Sequence, residues 1–146
     1  MSAQENKALV RRFLAVLGTQ DLNAVDDILS SDYTLHMIGL PQPVQGLAVW
    51  KETISAYFAA FPDLDVELED EIAEGDRVVI RYAWRGTHRG DFMGITATGR
   101  MVRVPGTVVF RVAGDRVAEE WHLDDTLGLL QQLGAVPQPQ AAIATS

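Results

Sequence analysis

Apolar residues keep helical spacing in the first part of the chain and alternate with polar ones later. Between Lys7 and Gly18, Leu9, Val10, Phe13, Leu14, Val16 and Leu17 recur every three to four residues, while Glu5, Lys7, Arg11 and Arg12 take the other side. That pattern predicts an amphipathic helix. Leu22, Val25, Ile28 and Leu29 predict a second, short helix behind Asp21, whose carboxylate can accept a backbone N–H, and Ser30-Ser31-Asp32 should end it. Tyr33 to Met37 reads as a brief strand running into a loop that holds Pro41 and Pro43. From Leu47 to Phe61 the set Trp50, Ile54, Tyr57, Phe58 and Phe61 predicts a third helix, stopped by Pro62.

After Pro62 the period becomes two. Leu64, Val66 and Leu68 alternate with acidic residues, Glu74-Gly75-Asp76 turns the chain, and Val78 to Arg85 follows as a half-buried strand. One face of that strand presents Val78, Ile80, Tyr82 and Trp84, the other Val79, Arg81, Ala83 and Arg85. A long strand is predicted from Met101 to Val112, with Pro105-Gly106 expected to form a bulge or bend. Ala113-Gly114-Asp115 turns it into a last strand, Val117 to Leu123, and Leu127 to Leu133 reads as a closing helix stopped by Gly134. No helix separates the later strands, so they are expected to be antiparallel neighbours in an α+β fold. A long twisted sheet curls, and helices across its concave side leave a conical space suited to a ligand. The expected organisation is one domain over residues 1–136 and a disordered tail over 137–146.

Composition narrows the chemistry. The chain has no cysteine, which excludes disulfides, thiolate nucleophiles and cysteine-held metals. Its formal net charge of −8 and scattered basic residues argue against a nucleic-acid partner. No apolar run approaches the roughly 20 residues a membrane helix needs, and no basic-then-apolar segment opens the chain, so a cytoplasmic location without membrane partners is expected. P-loop, dinucleotide and nucleophile-elbow motifs are absent.

Three histidines remain as candidates. His122 shares a strand face with Ala118, Glu120 and Asp124, which sets an imidazole beside carboxylates; it can serve as acid or base, or simply hold the sheet together. Asp124 and Asp125 precede a helix, where one can orient His122 or do acid–base work and either can act as a helix cap. His88, in Gly86-Thr87-His88-Arg89-Gly90, can face the cavity mouth, and His36 beside the proline loop is a weaker candidate of the same kind. The histidines lack metal-binding spacing, so no metal is expected. Arg81 and Arg85 can stabilise an enolate or pair with Glu67 and Glu69 across strands. Tyr33, Tyr57, Trp50, Trp84, Met37, Met93 and Met101 suit a flat guest, or plain core.

Taken together, the opening helix, Ser31-Asp32-Tyr33, the Gly86 to Gly90 segment followed by Phe92-Met93-Gly94-Ile95 and Thr98-Gly99-Arg100, and Glu120-Trp121-His122 with Leu127 to Gly134 resemble the SnoaL-like polyketide cyclases. The similarity runs from about Glu5 to Val136. It implies the cone-shaped barrel shared with nuclear transport factor 2 and ketosteroid isomerase, a curved antiparallel sheet wrapped around N-terminal helices, assembled as a homodimer or homotetramer through its sheets. It also implies closure of an aromatic polyketide ring by intramolecular aldol condensation, without metal or organic cofactor, on a small apolar, polycyclic substrate. The family's acid–base aspartate aligns with His122, a second acidic position with Asp125, a strand-end histidine with His88 and another histidine with Val108. From this come the expected catalytic residues His122, Asp125, Asp124 and His88, and the expected substrate contacts Arg85, Tyr33, His36, Trp50, Met37, Phe58, Trp84 and Val108. Because the family aspartate is replaced, hydroxylation of a polyketide is an alternative, as is non-catalytic binding of an apolar metabolite.

Overall fold

The computed structural model describes residues 1–138; most of the expected tail, residues 139–146, lies outside the described residues. Helix α1 spans Ala3–Thr19 and starts with a capping box, in which Ser2 Oγ accepts from Glu5 N and Glu5 Oε1 from Ser2 N, both at 3.1 Å. Its buried face is Asn6, Leu9, Val10 and Phe13. Asn6 breaks the apolar stripe for a reason: its Nδ2 donates to Gly75 O at 3.1 Å and fastens the helix to a hairpin turn. A 3₁₀ turn over Leu22–Asp27 leads into strand β1, Leu29–Met37. Then come β2 (Val44–Gln45), α2 (Leu47–Ala60), β3 (Asp65–Glu74), β4 (Arg77–Thr87), β5 (Met101–Ala113), β6 (Arg116–Asp124) and α3 (Thr126–Gln132).

The strands form one six-stranded sheet in the order β2-β1-β6-β5-β4-β3. It is curved, open at both edges and mixed rather than wholly antiparallel, because β1 lies parallel to β6. That pairing explains why Ser30-Ser31-Asp32 belongs to a strand and not to a helix end: β1 begins at Leu29, which is in register with Val117. The fold is the expected α+β arrangement, with helices against one face of the sheet.

Pro105-Gly106 is not the expected bulge. Pro105 pairs with Ala83 and Gly106 with Tyr82 in an unbroken β4–β5 register, and the irregularities fall between Leu29 and Thr34, between Leu68 and Asp70 and between Arg111 and Val112. Gly106 is needed for space: a Cβ there would sit 2.9 Å from Tyr82 Cε1 and from Asp124 Cβ. The core lies between helices and sheet. Phe13, Trp50 and Tyr33 interlock with ring centroids 5.7 and 5.8 Å apart, and Phe61 meets Trp84 at 4.9 Å. Among the described residues no helix is long and apolar enough to cross a membrane.

Candidate active site

The space between the helices and the concave sheet face is a cavity of about 100 Å³, of the order of the room one aromatic ring fills. Most of its wall is apolar: Phe13, Leu35, Trp50, Ile54, Phe58 and Phe110 are representative. Three polar residues of one strand break it. On β6 the side chains of Glu120, His122 and Asp124 point inward at every second position, as strand geometry requires. Tyr82 joins them from β4.

His122 is the hub. Its Nε2 lies 2.7 Å from Tyr82 Oη and 3.4 Å from Asp124 Oδ2, while Nδ1 is 3.6 Å from Glu120 Oε2. Burial pulls its pKa down, but hydrogen bonding and charge from Asp124 and Glu120 outweigh this and raise it to about 9. Asp124 is shifted the other way: burial raises it, and the hydrogen bonds and positive charge of His122, with smaller help from Thr126 and Trp84, bring it below the ordinary carboxylate range. Thr126 Oγ1 donates to Asp124 Oδ1 at 3.1 Å and Trp84 Nε1 to Oδ2 at 3.4 Å, so Oδ2 is the loosely held oxygen. Burial first, then the charges of Asp124 and Glu120, keeps Tyr82 a neutral phenol. Tyr57, on α2, is pushed up to about 12 by burial and by Asp124. An imidazolium can only donate, so Nε2–H points its proton at Tyr82 Oη and leaves the phenolic proton for a guest.

Of the residues singled out in the sequence, His122, Asp124, Trp50, Met37, Tyr57, Phe58, Trp84 and Val108 line this cavity. Others lie elsewhere for visible reasons. Asp125 caps α3, accepting from Gly128 N at 2.8 Å, and is exposed. His88 is fully buried against Phe61, where its Nδ1 accepts from Thr98 N at 3.1 Å, so it braces the loop between β4 and β5 instead of facing the cavity mouth. Arg85 projects from the opposite sheet face and pairs with Glu67 at 3.2 Å, and Arg81 likewise pairs with Glu69 and Asp70. His36 also faces outward, stacked on Trp121 and bonded to Glu119 at 2.5 Å. Tyr33 is buried behind the wall, and Met93 and Met101 are exposed.

Tyr82 and Glu120 were not among the expected site residues. A signal for them exists in the alternation: Tyr82 shares the inward face of Ile80 and Trp84, and Glu120 that of His122 and Asp124. Among the described residues no group of three or more histidine or acidic side chains is arranged to hold a metal ion.

A family model described as SnoaL-like polyketide cyclase matches residues 7–133. No curated relative matches the chain by sequence. Among solved structures the chain is similar to AclR of Streptomyces galilaeus, provisionally described as a hydroxylase, with 29% identity over 99% of this chain and 90% of that one and a TM-score of 0.87. A protein of Acidithiobacillus ferrooxidans provisionally described as a polyketide cyclase is 31% identical over 92% of this chain and 99% of its own, with a TM-score of 0.81. IdmH of Streptomyces antibioticus, provisionally a polyketide cyclase, is 26% identical over 88% and 98%, with a TM-score of 0.79.

Proposed function

The chain belongs to the SnoaL-like polyketide cyclase family, and from that premise we propose that it closes a ring of an aromatic polyketide by intramolecular aldol condensation. The observation that carries this reading is the Asp124–His122–Tyr82 group set in an otherwise apolar cavity. The raised pKa of His122 chooses between the two roles open to it from sequence: held near 9, the imidazole is mostly protonated at neutral pH and is the acid, not the base. Asp124 takes the proton from the carbon between two carbonyls through Oδ2. Tyr82, polarised by the imidazolium, donates to the enolate oxygen in a site with little water. The enolate carbon bonds to the second carbonyl carbon, the resulting alkoxide takes a proton from His122, and proton return from Asp124 to His122 resets the group.

The test uses an anthraquinone that carries a β-ketoester arm and a neighbouring aldehyde. The wild type should cyclise it, and Asp124→Asn and His122→Gln should each lose most of the rate while still melting cooperatively. Full activity in either variant overturns the role given to that residue. The similarity to AclR favours a second reading, hydroxylation of a polyketide ring. Turnover that stops under argon and resumes with oxygen would select it.

Self-association through the outer sheet face is the arrangement that goes with this reading, supported by the exposed Leu123, Ile38 and Leu40 beside Trp121. Light scattering gives the assembly size, and a monomer at micromolar concentration would contradict it.

A further inference from the structure

The cavity holds a second carboxylate, Glu120, that takes no proton in the aldol steps. Glu120 is 5% exposed and lines the cavity, yet among the described residues its side chain makes no hydrogen bond. The nearest cation, His122 Nδ1, stands 3.6 Å away, an ion pair longer than an ordinary hydrogen bond. Leu35 and Phe110 flank Glu120 in the sheet register, and Phe13 and Trp50 complete the wall around it. Two buried polar groups there also lack partners, the Tyr33 hydroxyl and the Trp50 indole N–H. Burial, then the Glu120 charge and the pull of its oxygens on the phenolic proton, raise the Tyr33 pKa, so that phenol lies against the carboxylate.

A buried carboxylate whose neighbours His122 and Tyr33 stand beyond ordinary hydrogen-bond length keeps unused accepting capacity, and an occupant that donates a hydrogen bond fills it. The occupant is not an anion, because the one cation of the lining, His122, already stands between Glu120 and Asp124, and no lysine or arginine joins it. The geometry points to a hydroxyl-binding subsite in the cavity wall, in which Glu120 accepts from a neutral phenol or alcohol carried by the ring that enters the cavity. The subsite selects hydroxylated aromatic rings over bare or carboxylated ones. It rests on the reading that the cavity takes an aromatic guest, but not on the aldol chemistry.

Equilibrium dialysis with 2-naphthol and 2-methylnaphthalene, which differ by hydroxyl against methyl, reads the subsite. The Glu120→Leu protein should lose about tenfold of the wild-type preference for 2-naphthol, the loss expected for a hydrogen bond to a charged group. Glu120→Gln should fall between them. An unchanged preference in a cooperatively melting Glu120→Leu protein overturns the proposal, as does wild-type binding of 2-naphthoate as tight as that of 2-naphthol. Should Glu120→Leu fail to fold, a crystal structure of the wild type with 2-naphthol decides. A hydroxyl within about 3.2 Å of Glu120 supports the subsite, and a hydroxyl elsewhere, or separated from Glu120 by a water, overturns it. Preference without turnover of the aldol substrate supports the subsite and overturns the cyclase reading. Turnover without preference overturns the subsite alone.

Discussion

The two faces of β6 carry the same residue types in opposite surroundings. Inside, His122 sits among Asp124, Glu120 and Tyr82, with its side chain 18% exposed. Outside, Glu119 bonds His36 and Arg111, His36 stacks on Trp121, and the Arg77 guanidinium lies 4.8 Å over the same indole. The outer groups His36 and Arg111 are more open to water, which screens their charges; burial raises the Glu119 pKa, and the hydrogen bonds and charges of His36 and Arg111 outweigh it and lower it. The inner groups have only one another, so each charge shifts its neighbour's affinity for protons. A histidine beside a carboxylate becomes chemically useful where water is replaced by apolar walls.

The largest effect expected from breaking this contrast is on activity. Asp124→Asn should lower kcat/KM for ring closure by about 10²- to 10⁴-fold, the usual worth of a positioned acid–base group. Glu119→Gln, five residues earlier on the outer face, should change it less than about twofold; equal losses would remove the distinction between the faces.

Next comes the pH dependence of stability. The His122 pKa is raised on folding from 6.5 to about 9, so its contribution is fully present below 6.5 and disappears as pH climbs through 9. That is at most about 3 kcal/mol over the window. Urea melts of wild type should lose midpoint between pH 6.5 and 9 in a way that His122→Gln does not; parallel declines would mean that His122 is not the group responsible.

Smaller again is the effect of filling the space that lets inner groups meet. Gly106→Val places atoms where Tyr82 and Asp124 already lie, and should cost about 1–3 kcal/mol. Its outward neighbour Thr107→Val should move the thermal midpoint little. The smallest effect belongs to the outer ion pairs. Arg81→Ala removes contacts to Glu69 and Asp70 that stand in solvent, and should leave the thermal midpoint almost unchanged.

The same contrast separates what the sequence makes legible from what it hides. Local periodicity reveals α1 through Leu9, Val10 and Phe13, and the inward face of β4 through Ile80, Tyr82 and Trp84. The shared face of Glu120, His122 and Asp124 follows from counting by two. Long-range pairing is not local information. The parallel β1–β6 register that draws Ser30 to Asp32 into a strand depends on residues about ninety positions later. Tyr82, Gly106 and Asp124 fall in one row across three strands, and only that row shows why Gly106 is a spacer and not a bulge. Burial also hides direction: His88 sits in a motif that suggests a cavity mouth, but Thr98 and Phe61 hold it away.

The claim on which the rest depends is that His122 is an imidazolium at neutral pH, clamped by two carboxylates. Proton NMR of the ¹⁵N-labelled imidazoles, assigned with His122→Gln, follows its protonation from pH 5 to 10. A His122 midpoint near 9, moving down in Asp124→Asn, is the predicted result. A midpoint at or below 6.5 would make His122 a neutral base and contradict the account.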